Sequence, residues 1–118
     1  MKENIIQKKS FDFAVRIVNA YKYLQNEKKE FVLSKQLLRS GTSIGANVEE
    51  ATGGQSKKDF IAKISISFKE ARETKYWIKL LVATGYLEND LSKSLLEDAE
   101  ELCKILSSIL LTSKQNNS

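Results

Sequence analysis

The sequence predicts an all-α fold: a single domain folded as an antiparallel, up-down-up-down four-helix bundle. Three observations lead there. The 118 residues include no proline and only five glycines, so helix breakers are scarce and a many-turned sandwich or barrel is disfavoured. Apolar residues recur at steps of three and four, the period of a helix with one buried face. Hydrophobic residues make up 42% and charged residues 29%, a globular mix in a chain long enough for one core.

The first helix is expected over about residues 10–28. Ser10 would cap it, and Asp12 in the first turn suits the positive end of the helix dipole. Phe11, Ala14, Val15, Val18, Tyr21 and Leu24 form its expected buried face. The stretch Asn26-Glu27-Lys28-Lys29-Glu30 reads as a solvated connection. A second helix, about 34–52, starts at a Ser34 cap and buries Leu37, Gly41, Ile44, Val48 and Ala51. Gly53-Gly54 would end it in a left-handed turn.

Ser56-Lys57-Lys58-Asp59 has the form of a capping box and opens a third helix, about 56–84. Its main seam is Ile61, Ile64, Phe68, Ala71, Ile78 and Val82, interrupted by Lys75 and closed by Gly85. The fourth helix, about 89–112, carries Leu91, Leu95, Ala99, Leu102, Leu106 and Ile109, with Cys103 as a small core residue. The polar tail 113–118 is expected to fray.

Composition removes several functions. Without histidine there is no Ser-His-Asp or Cys-His triad and no imidazole ligand. A single cysteine makes neither an internal disulfide nor a multi-thiolate metal site, and it fits a reducing compartment. No apolar run approaches the ~20 residues needed to span a bilayer, and no signal peptide is visible. A cytoplasmic protein without metal or cofactor is the expectation.

The net charge of +4 is unevenly spread. Residues 1–30 carry +3, 31–54 are neutral, 55–87 carry +4 and 88–118 carry −3. On helix 3, Lys58, Lys69, Arg72 and Lys79 fall within roughly 80° of one another on a helical wheel. With Lys57, and with Arg16 and Lys22 of helix 1, they are candidates for contact with a phosphate backbone. A solvated face interleaved with Asp59, Glu70 and Glu73 is the competing explanation.

Helices 2 and 3 also carry second stripes. Arg39, Ser43, Asn47 and Glu50 share one side of helix 2, and Lys63, Ser67, Glu70, Thr74, Trp77 and Leu81 one side of helix 3. A monomeric bundle needs one seam per helix, so a subunit interface through Arg39, Ser43, Asn47, Glu50, Glu70, Thr74 and Trp77 is predicted. There Arg39 would pair with Glu50 or Glu70 across subunits. A solvated polar flank stands beside this reading. Glu50 and Glu70 as catalytic carboxylates lack a pocket or a further catalytic group.

Ser43-Ile44-Gly45-Ala46-Asn47-Val48-Glu49-Glu50, followed by Ser56-Lys57-Lys58-Asp59-Phe60, resembles the four-helix-bundle family of the bacterial 23S rRNA intervening-sequence proteins. Gln36-Leu37-Leu38-Arg39, Ser67-Phe68-Lys69-Glu70 and Thr84-Gly85-Tyr86-Leu87 extend the likeness to most of the chain. Gly45, where many relatives have proline, and Ala51, where many have glycine, depart from the pattern. The resemblance implies a homopentamer, and it implies no enzymatic activity. It also implies similarity to the accessory variability protein of diversity-generating retroelements, which binds nucleic acid and a reverse transcriptase. The shared polar residues fall on Arg39, Ser43, Asn47, Glu50 and Glu70. The function expected is therefore RNA or DNA binding by a homo-oligomer through basic faces of helices 1 and 3. The alternative is a scaffold for another polypeptide, such as a polymerase.

Overall fold

The computed structural model describes residues 4–115. Four helices follow in order: α1 (Ile5–Asn26), α2 (Leu33–Thr52), α3 (Lys57–Ala83) and α4 (Asn89–Gln115). Each packs on its neighbours in sequence and α1 closes on α4, while the backbones of the diagonal pairs α1/α3 and α2/α4 do not approach closely among the described residues. This is the antiparallel up-down-up-down bundle, with Cα extents of 49 × 24 × 20 Å. One core runs its length, from Phe13 and Ile17 through Ile44 and Ile78 to Leu95 and Leu106.

The start of α1 differs from expectation. Its cap is Asn4, whose side chain accepts from the amides of Ile6 (3.0 Å) and Gln7 (3.3 Å). Ser10 instead lies buried within the helix, its hydroxyl donating to the Gln7 carbonyl at 3.2 Å. The buried face is rotated as well: Ile6, Ser10, Phe13, Ile17, Ala20 and Leu24 point inward. Of the expected face only Leu24 is buried, whereas Phe11 is 68% and Val15 46% exposed. The reason is proximity. A Cβ on Gly41 would lie 2.7 Å from two γ carbons of Ile17, and one on Gly45 would lie 3.3 Å from the Ser10 carbonyl oxygen. The two glycines on α2 thus let α1 approach closely, Gly41 giving room to Ile17 and Gly45 to the backbone and side chain of Ser10.

The α1–α2 connection is more than solvated chain, because Glu30 is buried. Its carboxylate accepts from the amides of Ser34 (2.6 Å), Leu33 (2.9 Å) and Val32 (3.2 Å). Glu30, rather than Ser34, therefore caps α2, and the Ser34 hydroxyl donates to the Glu30 carbonyl at 2.8 Å. Burial works to raise the carboxyl's pKa, but those three amides outweigh it and hold it below the ordinary value. Lys29, at φ 55°, makes the turn that brings Glu30 under the helix end.

The Ser56 hydroxyl accepts from the Asp59 amide at 3.1 Å, the expected start of α3. Gly53 has φ −95°, so α2 ends without the expected left-handed turn; Gly85, at φ 85°, supplies one after α3. The buried face of α3 is Ile64, Ser67, Ala71, Thr74, Ile78 and Leu81. Three members of the expected second stripe, Ser67, Thr74 and Leu81, thus belong to the core. α4 continues through Ser113, Lys114 and Gln115, where fraying was expected; residues 116–118 of that tail lie outside the described residues.

Candidate nucleic-acid interface

On α3, Lys58, Lys69, Arg72 and Lys79 are exposed, as is Lys57 at its start. None of the five makes an ion pair among the described residues. Their neighbours on the helix differ. Lys63 pairs with Glu50 at 2.7 Å, and Lys75 pairs with Glu100 at 2.6 Å. The hydrogen bond and charge of Lys75 hold the Glu100 carboxyl below its ordinary pKa. α3 thus sorts its cations, the flanking ones neutralised against neighbouring helices and the outward ones left to solvent.

The helix 1 candidates do not join this surface, because α1 and α3 are diagonal in the bundle. Arg16 is bonded to Asp98 of α4 at 2.5 Å, and Lys9 to Glu101 at 3.2 Å. Lys22 is exposed and unpaired, on the opposite side of the molecule from the α3 arc.

The polar stripe of α2 and α3 is satisfied largely within the chain. Arg39 donates to Glu70 at 3.2 Å, to Glu73, and to Gln36 at 3.3 Å. The indole of Trp77 donates to the same Glu73 carboxylate at 2.8 Å. Ser43 donates to the Arg39 carbonyl (2.6 Å) and Asn47 to the Ser43 carbonyl (2.8 Å). Thr74 is fully buried, donates to the Glu70 carbonyl (2.7 Å) and lies 3.0 Å from the Ser40 hydroxyl. It has no surface to offer a second subunit, which corrects its place among the interface candidates. Glu73, the carboxylate that joins Arg39 to Trp77, was missed. Its position one turn before Trp77 was the available signal.

Two apolar surfaces also escaped sequence reading. Phe11 and Val15 stand on the outer face of α1, beside a groove of about 320 Å³ lined by Ala14, Thr42, Gly45 and Ala46. Phe31 and Val32 project from the α1–α2 loop. Between α3 and α4 a wider groove of about 670 Å³ has Val82 and Leu96 on its floor and Lys75, Lys79 and Lys93 among its lining residues. Among the described residues, no three metal-ligating side chains gather, and no helix is long and apolar enough to cross a membrane.

The sequence profile of the 23S rRNA-intervening sequence protein matches residues 2–108. The chain belongs to that family. A solved structure from Bacteroides thetaiotaomicron, a protein of unknown function from the S23 ribosomal protein family, is similar to this chain. The two are 55% identical, with a TM-score of 0.88 over 89% of this chain and 97% of that one. No curated protein matches the chain. Family and fold therefore agree with the resemblance carried by residues 43–60.

Proposed function

We propose that this protein is a non-enzymatic, cytoplasmic homo-oligomer that binds structured RNA or DNA through α3. The supporting observation is the arc of Lys58, Lys69, Arg72 and Lys79, exposed and free of ion pairs among the described residues while Lys63 and Lys75 beside it are neutralised, although Lys79 lies near enough to Glu100 to feel its charge. Unpaired cations on one helix face can follow a phosphate backbone, with little dependence on base sequence. So small a patch binds weakly alone, and an oligomer repeats it, which raises avidity without new contacts.

The outer face of α1 supports self-association. Phe11, Val15 and the half-buried Val18 form an apolar stripe beside the small residues Gly45 and Ala46, and a second copy would remove it from water. The pentamer implied by family resemblance is the assembly we propose. Light scattering measures it, and a 13.4 kDa particle at high micromolar concentration refutes it.

Fluorescence anisotropy with a structured RNA tests binding. Affinity at about 50 mM salt should fall steeply as salt rises. Lys69→Glu with Arg72→Glu should abolish binding and leave helicity intact, while Lys104→Glu with Lys114→Glu should do much less. Equal losses in the two double variants refute the α3 site. The scaffold reading takes over if the parent binds neither RNA nor DNA.

A further inference from the structure

Phe31 is 50% and Val32 72% exposed, side by side in the six-residue connection between α1 and α2. Large apolar side chains in a turn usually fold back onto the core, and these two are held away from it. Glu30, immediately before them, is anchored by three backbone bonds, and its own amide donates to the Leu24 carbonyl at 3.0 Å. The Val32 amide is one of the three donors, so the carboxylate fixes the backbone of the tip itself. Lys28 and Lys29 precede the tip and Lys35 follows it in the first turn of α2. All three are exposed and make no ion pair among the described residues. With Glu27 and Glu30 counted, residues 26–35 keep a net charge of +1, and neither carboxylate forms an ion pair with these lysines among the described residues.

We propose that this tip is a second nucleic-acid contact, in which Phe31 stacks on an unpaired base while Lys28, Lys29 and Lys35 hold the adjoining phosphates. The proposal rests on the nucleic-acid reading and specifies its ligand as a strand with unpaired bases. An aromatic ring takes any base by its face, and a preorganised backbone keeps the entropic cost of docking small. Three exposed cations within four residues of Phe31 suit a phosphate chain, whereas an apolar protein pocket would leave them without partners. The α3 arc tracks backbone; the tip distinguishes open strands from duplex.

The experiment compares a hairpin RNA carrying an unpaired loop with a blunt duplex of equal length, by anisotropy at about 50 mM salt. The parent should prefer the hairpin. Phe31→Ala should lower hairpin affinity about five- to a hundredfold and leave duplex binding unchanged, with Phe31→Trp restoring it. Lys28→Gln with Lys29→Gln should reduce the salt slope on the hairpin by about two. A melting curve checks that the variants keep the bundle. Equal hairpin binding by parent and Phe31→Ala overturns the tip and leaves the α3 site standing. Loss of all nucleic-acid binding in Lys69→Glu/Arg72→Glu with Phe31→Ala unaffected does the same. A parent that binds no nucleic acid overturns both readings. Sedimentation with anionic phospholipid vesicles, lost on Phe31→Ala while RNA binding persists, assigns the tip to a membrane surface and overturns it.

Discussion

Between α2 and α3 buried hydroxyls join the helices beneath surface ion pairs such as Arg39–Glu70 and Lys63–Glu50; between α1 and α4 the polar links among the described residues are half-exposed charges. Ser67 donates to the Ile44 carbonyl across the first seam at 2.8 Å, and Thr74 meets Ser40 there, all fully enclosed. The second seam carries the ion pairs Arg16–Asp98 and Lys9–Glu101 over a cleft of about 180 Å³. A dry hydrogen bond fixes register because a slip leaves a buried polar group unpaired. A solvated ion pair tolerates slip and weakens with salt. The bundle thus has a specified side and an adjustable side, and hydrogen exchange should open α1/α4 before α2/α3.

The largest effect tests whether the adjustable side still needs a dry interior. Leu102 lines the α1/α4 cleft and is buried. Leu102→Asp should cost several kcal/mol out of a total of ~5–15 and unfold or severely destabilise the domain in thermal melts. An unchanged melting temperature would mean the cleft is open to water. Next comes Gly41→Ala. Its Cβ meets the stiff, enclosed Ile17, so overpacking of about 1–3 kcal/mol should exceed the gain of up to about 1 in helix propensity. Denaturant titration measures the balance.

Glu30→Ala should cost about 1 kcal/mol by uncapping α2. The pH dependence has a definite sign. The folded carboxyl has a lowered pKa, so its contribution is complete above the unfolded value of about 4.3 and is lost as pH falls through the folded one. Stability curves of parent and variant should therefore converge in acid, and parallel curves would contradict the cap. Ser67→Ala should cost about 1 kcal/mol at any salt concentration. Arg16→Ala should cost ~0–1 kcal/mol at low salt and less at high salt. If those two respond alike to salt, the contrast between the seams is wrong.

Much of the fold was legible because α2 and α4 show one apolar stripe each, and Leu37, Ile44, Val48, Leu95 and Leu106 are buried as expected. α1 was misread because it has two stripes. The more hydrophobic one, through Phe11 and Val15, faces outward; the inner one includes Ser10, which backbone approach at Gly45 makes compatible with burial. The same rule, that polar means surface, misplaced Ser67 and Thr74, whose hydroxyls are satisfied by carbonyl oxygens. In the candidate site the exposure of the α3 cations was readable from helical period. The separation of Arg16 and Lys22 from them was not, since it depends on which helices are diagonal. The tip was hidden because a buried glutamate in a charged run looks like any solvated carboxylate.

Cys103 gives this architecture a built-in clock. The thiol is buried on the α3/α4 side, and burial pushes its pKa up, so the reactive thiolate is scarce while the helices stay packed. No other thiol competes in the chain. The thiol keeps 6% exposure on a groove it shares with Arg72, Lys75 and Lys104, so the alkylation rate follows access through that groove, a count kept without any engineered probe. Salt, acid, nucleic acid or a second copy of the chain can each be scored by how far it slows or quickens that count.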